Sequence, residues 1–226
     1  NLSSAVESIH SYSLIHDDLP SMDNDDFRRG KPSTHKKFGE STAVLAGNSL
    51  LTLGFEILTN KNLKISDNKK ILLIKYISNC SGHEGVAGGQ YSDLKFENKR
   101  ISLRKIKDMQ FKKTGRLFSF CCVAPLITVN KNYLISKFNK IGENIGLLFQ
   151  ISDDLIDYSG NSKIAGKKTR KDEAKGKATL ISLLGYKNTI KYSKKLKQNI
   201  FNELAKYQNR SKSLKETIEF ILSRTN

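Results

Sequence analysis

Two clusters of aspartates, far apart in the chain, contain the residue type that binds hard metal ions, and basic residues follow each of them. The clusters comprise Asp17, Asp18 and Asp23 in the first and Asp153, Asp154 and Asp157 in the second. Carboxylate oxygens bind divalent cations such as Mg²⁺, and arginine and lysine side chains bind phosphate oxygens directly. The pattern therefore predicts a site that holds a polyphosphate through bridging metal ions.

The second cluster has the spacing of one helix face. Asp153 and Asp157 are one helical turn apart, and like charges at this spacing destabilise a helix unless a cation bridges them. The cluster follows the apolar segment 145–149 and interrupts its continuation in Leu155 and Ile156. An exposed acidic face is the alternative, but this setting favours a metal-binding face that lines a cavity.

The first cluster contains a break that changes its geometry. Asp17 and Asp23 would not share a face on a straight helix, but Pro20 lies between them, and proline ends a helix or bends the chain. We therefore expect a turn after Leu19 that brings Asp23 back beside Asp17.

The elements that must position both clusters are predicted to be helices. The chain has 226 residues, three prolines and long stretches of apolar residues at helical spacing. We expect one domain, residues 1–226, of the all-α class: an antiparallel helix bundle around a deep central cavity. The predicted helices span 4–19, 41–58, 69–94, 103–127 and 133–158, with shorter ones at 179–185, 187–207 and 214–223.

The net charge of +17 raises the question of nucleic-acid binding. The lysines are spread along the chain and concentrate near its end among asparagine and isoleucine, and the sequence lacks basic motifs interleaved with aromatic residues. This pattern favours a compositional bias, and we expect no nucleic-acid partner. The charge would still attract anionic diphosphates over long distances.

Compartment is predicted from three further features. Cys80, Cys121 and Cys122 are an odd set with an adjacent pair, which suits reduced thiols better than disulfides. The sequence has no run of 18 or more apolar residues, so we expect no transmembrane helix and no stable membrane insertion. The first seven residues resemble neither a signal peptide nor a transit peptide. We therefore expect a cytoplasmic protein.

The order of the motifs resembles that of the trans-isoprenyl diphosphate synthases. DDLPSMD is followed by RRGKPSTH, and then by GGQYSDL, KTG and FQISDDLID. Terpene cyclases share a single DDxxD motif, whereas two aspartate motifs with RRG after the first and KTG between them are specific. The resemblance is greatest to the bacterial farnesyl diphosphate synthase type and implies the isoprenoid synthase fold.

The resemblance implies a role for each acidic residue. Three Mg²⁺ ions are expected with substrate bound. The implied metal ligands are Asp17, Asp23, Asp153 and Asp157. The implied catalytic residues are Asp17, Asp18, Asp23, Asp153, Asp154 and Lys113.

The resemblance also implies which residues bind the two diphosphates. Arg28 would contact the allylic diphosphate and Arg29 the homoallylic one, since the planar guanidinium pairs bidentately with phosphate oxygens. A solvated charge is the alternative for each basic residue, and a packed or solvated histidine for His10. The implied substrate-binding residues are His10, Arg28, Arg29, Lys113, Thr114, Gln150, Lys167 and Lys177.

Tyr12 is implied to limit product length. In bacterial farnesyl synthases an aromatic residue at this position, together with two extra residues in the first motif, marks the floor of the hydrocarbon cavity. An ordinary core tyrosine is the alternative.

The resemblance implies head-to-tail condensation of isopentenyl diphosphate with dimethylallyl and then geranyl diphosphate, to give farnesyl diphosphate. A longer-product synthase of the geranylgeranyl type is one alternative, and a non-catalytic partner subunit is another. The family also implies a homodimer.

The sequence departs from the family pattern in several places. The family carries a GGKRxRP segment upstream of its first aspartate motif, where lysine and arginine bind isopentenyl diphosphate, and this sequence has no counterpart. We therefore expect that an N-terminal part of the family's domain is missing. Asn48 and Asn161 stand where the family usually has aspartate, which predicts weaker activity.

Overall fold

The computed structural model describes residues 2–159 and 176–223, and these ranges are almost entirely helical. Two short antiparallel strands, β1 (Phe27–Arg28) and β2 (Lys31–Pro32), form a hairpin between the first two helices. The helices are α1 (Leu2–Asp17), α2 (Thr34–Phe38), α3 (Glu40–Thr59), α4 (Asp67–Ser81), α5 (Val86–Phe96), α6 (Leu103–Gln110), α7 (Arg116–Thr128), α8 (Ile135–Ser159), α9 (Leu180–Leu184), α10 (Tyr186–Ala205) and α11 (Lys212–Ser223). The predicted all-α class is confirmed.

One hydrophobic core lies between α1, α3, α4 and α7. Ile9 of α1, Leu58 of α3, Ile77 of α4 and Phe120 of α7 are fully buried in it. Burying each such side chain contributes roughly 1.5–3 kcal/mol. This core fixes α1, and with it the first aspartate cluster, against the rest of the bundle.

A second core surrounds α8 and joins it to α6 and to the last three helices. Leu148 and Ile151 of α8 are fully buried there, together with Leu180 of α9 and Ile218 of α11. Because α8 carries the second aspartate cluster, this core holds the cluster on a rigid helix.

Two long helices predicted from the sequence are each interrupted in the structure. The predicted helix 69–94 breaks between α4 and α5, where a side chain at Gly85 would lie 1.9 Å from the carbonyl oxygen of Cys80. The predicted helix 103–127 is α6 and α7 joined by one π-helical turn, Phe111–Gly115. Such turns are rare and often occur at functional sites.

Candidate active site

The first aspartate cluster lies where α1 ends. Past Asp17 the chain turns sharply: the amide of Met22 donates to the carbonyl of Leu19 at 2.9 Å, and the amide of Asp23 donates to the carbonyl of Asp17 at 2.9 Å. Asp23 therefore folds back beside Asp17, as the proline break predicted.

The electrostatics of Asp17 favour a bound cation. Burial raises the pKa of the Asp17 carboxyl, and the nearby Asp23 carboxylate raises it further, while Lys113 acts in the opposite direction. Two desolvated carboxylates this close repel one another unless positive charge lies between or beside them.

The third member of this cluster has a different partner. Both oxygens of Asp18 accept hydrogen bonds from Arg28: Nε lies 3.1 Å from Oδ1 and 2.8 Å from Oδ2, and Nη2 also donates to Oδ1. The Asp18 side chain is only 4% exposed, and that of Arg28 is 29% exposed. Burial opposes the charge of Arg28, but the Asp18 carboxylate outweighs it and raises the pKa of the guanidinium. Asp18 thus holds Arg28 in place.

A hairpin turn presents the two adjacent arginines differently. Arg29 and Gly30 both have positive φ, of 52° and 75°, as in the tight turns that join antiparallel strands. Arg28 is half-buried against Asp18, whereas Arg29 is exposed. Burial lowers the pKa of His10 on α1, and the negative charge of Glu7 opposes this shift. The positive charges of Arg29 and Arg28 lower the pKa further, so His10 lies close enough to both arginines to sense their charges.

Two lysines connect the first cluster to the interior of the bundle. The Nζ of Lys113, in the π-helical turn, lies 2.7 Å from Oδ2 of Asp93 and 3.6 Å from Oδ1 of Asp17. The Nζ of Lys177 lies 3.0 Å from Oδ2 of Asp23 and 3.3 Å from Oδ2 of Asp93. Burial disfavours the Lys113 ammonium, but Asp17 and Asp93 outweigh it and raise its pKa.

Hydrogen bonds lead from the π-helical turn to the second cluster. Oγ1 of Thr114 donates to Oε1 of Gln150 at 3.2 Å. Nε2 of Gln150 then donates to Oδ1 of Asp154 at 2.8 Å. Lys113 and Thr114 are neighbours in sequence, so the two aspartate clusters are linked through one short segment.

A cavity of about 50 Å³ is lined in part by these groups. The sequence pointed to four of its lining residues, and the others were missed. Asp93 belongs to the GGQYSDL motif, which was noted without a role for this residue, and nothing in the sequence singled out Gln110. The lining residues are Asp93, Met109, Gln110, Lys113, Gln150, Asp154, Lys177, Ala178 and Thr179.

The second cluster was predicted to line a cavity, and its Asp154 lines the one described above. Asp154 and Asp157 are buried, at 3% and 6% exposure, and Asp153 is half-buried. Within residues 2–159 and 176–223, no three potential ligand side chains lie close enough to form a ready-made metal cluster. The carboxylates instead approach from two walls.

The donor chemistry of these walls fits Mg²⁺. The carboxylates offer only hard oxygen ligands, and Asp17 and Asp23 lie together in a buried setting that favours added positive charge. Lys167 and Asn161, two further positions singled out in the sequence, lie outside the described residues.

Tyr12 lies one turn before the first cluster on α1. It is half-buried at the edge of the core formed by α1, α3, α4 and α7. Its ring meets that of His16 edge-on, with centroids 4.9 Å apart. Burial raises the pKa of the Tyr12 hydroxyl.

Comparison with known proteins gives a consistent result. A family model described as polyprenyl synthetase matches residues 1–220. The farnesyl diphosphate synthase of Micrococcus luteus is 40% identical over 221 residues, which cover 97% of this chain and 75% of that protein. The farnesyl diphosphate synthase of Bacillus subtilis is 42% identical over 182 residues, which cover 80% of this chain and 62% of that protein.

A solved structure agrees with the sequence matches. The geranyltransferase of Helicobacter pylori, in complex with magnesium and isoprenyl diphosphate, superposes with a TM-score of 0.87 at 33% identity. The match covers 98% of this chain and 73% of that one. This chain thus spans between 62% and 75% of the length of these relatives. With its paired aspartate clusters and these matches, the chain belongs to the polyprenyl synthetase family.

Proposed function

We propose that this protein is a prenyltransferase that condenses isopentenyl diphosphate head-to-tail with dimethylallyl and geranyl diphosphates to give farnesyl diphosphate. One observation carries the proposal. Lys113 pairs with Asp17 of the first cluster, and its neighbour Thr114 reaches Asp154 of the second cluster through Gln150. Lys113, Gln150 and Asp154 line one cavity. An allylic diphosphate bound beside these groups would meet carboxylates, ammonium groups and an amide at once.

Binding of the diphosphate is divided between metal and protein. Asp17 and Asp23 would hold Mg²⁺ from one wall, and Asp153 with Asp157 from the other. The ions supply positive charge that stabilises the diphosphate as it leaves. Three ions remain our expectation for the substrate complex.

The chain's own cations complete that charge. Arg28, Lys113 and Lys177 bind oxygens of the allylic diphosphate, while Arg29 and His10 bind the homoallylic one. Arg28, Lys113 and Lys177 are already oriented by carboxylate partners, so little reorganisation of these three groups accompanies bond cleavage. Neutral His10, whose pKa is lowered by burial, acts as a hydrogen-bond donor rather than as a cation.

The reaction needs no protein nucleophile. The allylic carbon–oxygen bond breaks, the double bond of isopentenyl diphosphate attacks the allylic cation, and a proton is lost to the departing diphosphate. Thr114 and Gln150 place polar atoms beside the reacting carbons. The site must exclude water during the reaction, since water would otherwise capture the cation.

Product length is set by Tyr12 in this proposal. Its ring packs against the core formed by α1, α3, α4 and α7, where it would close the path of a growing chain. A product of the geranylgeranyl type would require that path to be open.

We propose a cytoplasmic homodimer whose interface includes α3. Among the described residues, α3 is the one helix that is both long enough and apolar enough to cross a membrane, by length and composition alone. One side of it packs on α1, and the other exposes Val44, Leu45 and Leu53, at 38%, 66% and 40% exposure. Exposed Asn48 and Glu40 on this helix favour a protein partner over lipid.

Paired variants test the proposed division of labour. Asp17→Asn and Asp153→Asn should each abolish product formation from geranyl and isopentenyl diphosphates, because each removes a metal ligand from one wall. Asp67→Asn is a matched control, since its side chain is 90% exposed on α4. Retained turnover in either cluster variant would contradict the proposal.

A further inference from the structure

Asp93 reaches the active site because α5 lies unusually close to the π-helical turn. A Cβ atom at Gly89 would lie 2.0 Å from the backbone nitrogen of Lys113, so only glycine permits this approach. Asp93 stands one helical turn after Gly89, on the same face. Its carboxylate therefore points at the side chain of Lys113, whose Nζ lies 2.7 Å from Oδ2.

The same oxygen also accepts a hydrogen bond from a second lysine. Nζ of Lys177 lies 3.3 Å from Oδ2 of Asp93, and it also contacts both oxygens of Asp23, at 3.1 and 3.0 Å. The side chains of Asp93 and Lys177 are 8% and 12% exposed. Charges of alternating sign thus run from Asp17 through Lys113, Asp93 and Lys177 to Asp23.

The charge of Asp93 balances two ammonium groups that would otherwise repel one another. Burial disfavours the ionised carboxyl, but Lys113 and Lys177 outweigh this and lower the pKa of Asp93. The charge of Lys177, in turn, lowers the pKa of Lys113. Each lysine therefore has one acidic partner in the first cluster and shares a second partner in Asp93.

We propose that Asp93 is a positioning residue that shares the charges of Lys113 and Lys177 with the first cluster and so weakens the hold of these lysines on the metal ligands Asp17 and Asp23. The inference rests on the proposed function. Without the charge of Asp93, these lysines would pair more closely with Asp17 and Asp23, and they would then compete with Mg²⁺ for the same carboxylates. Asp93 thus lets one site hold cationic side chains and metal ions together.

The test measures the magnesium requirement of pyrophosphate binding by calorimetry. Asp93→Asn keeps the size of the side chain but removes its charge, and it should raise the half-saturating Mg²⁺ concentration about tenfold. Asp93→Glu retains the charge and should recover much of the loss. Asp108→Asn is the matched control, since Asp108 lies close by on α6 with a side chain that is 67% exposed.

A merely structural role for Asp93 would lower the melting temperature without changing the magnesium requirement of the folded protein. Equal requirements in Asp93→Asn and Asp108→Asn would overturn the inference. If Asp93→Asn does not fold, Lys177→Gln decides, because removing a cation that competes at Asp23 should lower the requirement. An unchanged requirement there would also overturn it. Since pyrophosphate binding is not turnover, a wild-type chain that makes no product would defeat the proposed function and leave this test intact.

Discussion

The pairing of Asp18 with Arg28 makes a prediction that separates this aspartate from its metal-binding neighbours. Asp18→Asn removes a buried negative charge but keeps the size of the side chain. Arg28 loses charge-assisted hydrogen bonds at Nε and Nη2, and with them the orientation of its guanidinium fork. We expect a higher KM for the allylic diphosphate and little change in the magnesium requirement.

The size of the effect follows from the geometry. A hydrogen bond to a charged group contributes about 1.5–3 kcal/mol. The Arg28 side chain is 29% exposed, so solvent screening reduces the value for the whole pair to about 2 kcal/mol. Since 1.36 kcal/mol is a factor of ten, the KM should rise about 30-fold.

Steady-state kinetics with varied geranyl diphosphate at saturating Mg²⁺ measures this change. Asp26→Asn is the matched control in the same loop, because Asp26 pairs with Lys36 at 3.0 Å and both side chains are about half exposed. Such a surface pair is worth at most about 1 kcal/mol. The double variant Asp18→Asn, Arg28→Lys should show a KM little higher than Arg28→Lys alone, because Asp18 acts through the Arg28 guanidinium.

Two results would refute this reasoning. One is an Asp18→Asn variant whose KM matches that of Asp26→Asn. The other is an Asp18→Asn variant that raises the magnesium requirement as much as Asp17→Asn does, since this would make Asp18 a metal ligand.

Three further predictions address chain length, pH and assembly. Tyr12→Ala should give products longer than fifteen carbons, whereas Tyr12→Phe, which keeps the ring, should not; chromatography of the products distinguishes them, and identical product lengths would exclude a floor at this position. Burial in the folded state lowers the pKa of His10 below its ordinary value of 6.5. The unfolded state therefore binds more protons near and below pH 6.5, and the protein becomes less stable as the pH falls. Chemical denaturation from about pH 7 to pH 5 should therefore show a shallower loss for His10→Gln than for the wild type, and equal slopes would contradict the burial of His10. Leu45→Glu places a charge on the exposed face of α3 and should shift the protein from dimer to monomer in light scattering, whereas Lys61→Glu, beyond the end of α3, should not; an unaltered dimer would place the interface elsewhere.

Much of the fold was predictable because its signals are local. Apolar residues at helical spacing mark the helices, and Pro20 marks the turn that brings Asp23 beside Asp17. The spacing of Asp153 and Asp157 likewise indicated a buried acidic face on one helix. Each of these inferences depends on residues a few positions apart, where backbone geometry decides the outcome.

The features that were missed depend on packing between distant segments. Gly89 permits α5 to approach the π-helical turn, and only this contact brings Asp93 to Lys113. Likewise Lys177 meets Asp23 from 154 positions away, so its partner follows from the fold and not from its neighbours in sequence. The family resemblance predicted Arg28 as a phosphate ligand, but the sequence gave no reason to pair it with Asp18.

The most direct test of the proposed activity is to incubate this chain with Mg²⁺, geranyl diphosphate and isopentenyl diphosphate, and to measure the prenyl product together with the released diphosphate. We expect a fifteen-carbon diphosphate, one diphosphate released for each product molecule, and no product when either substrate is omitted. A chain that binds pyrophosphate with Mg²⁺ yet transfers no prenyl group would contradict the proposed activity and would favour a non-catalytic partner subunit.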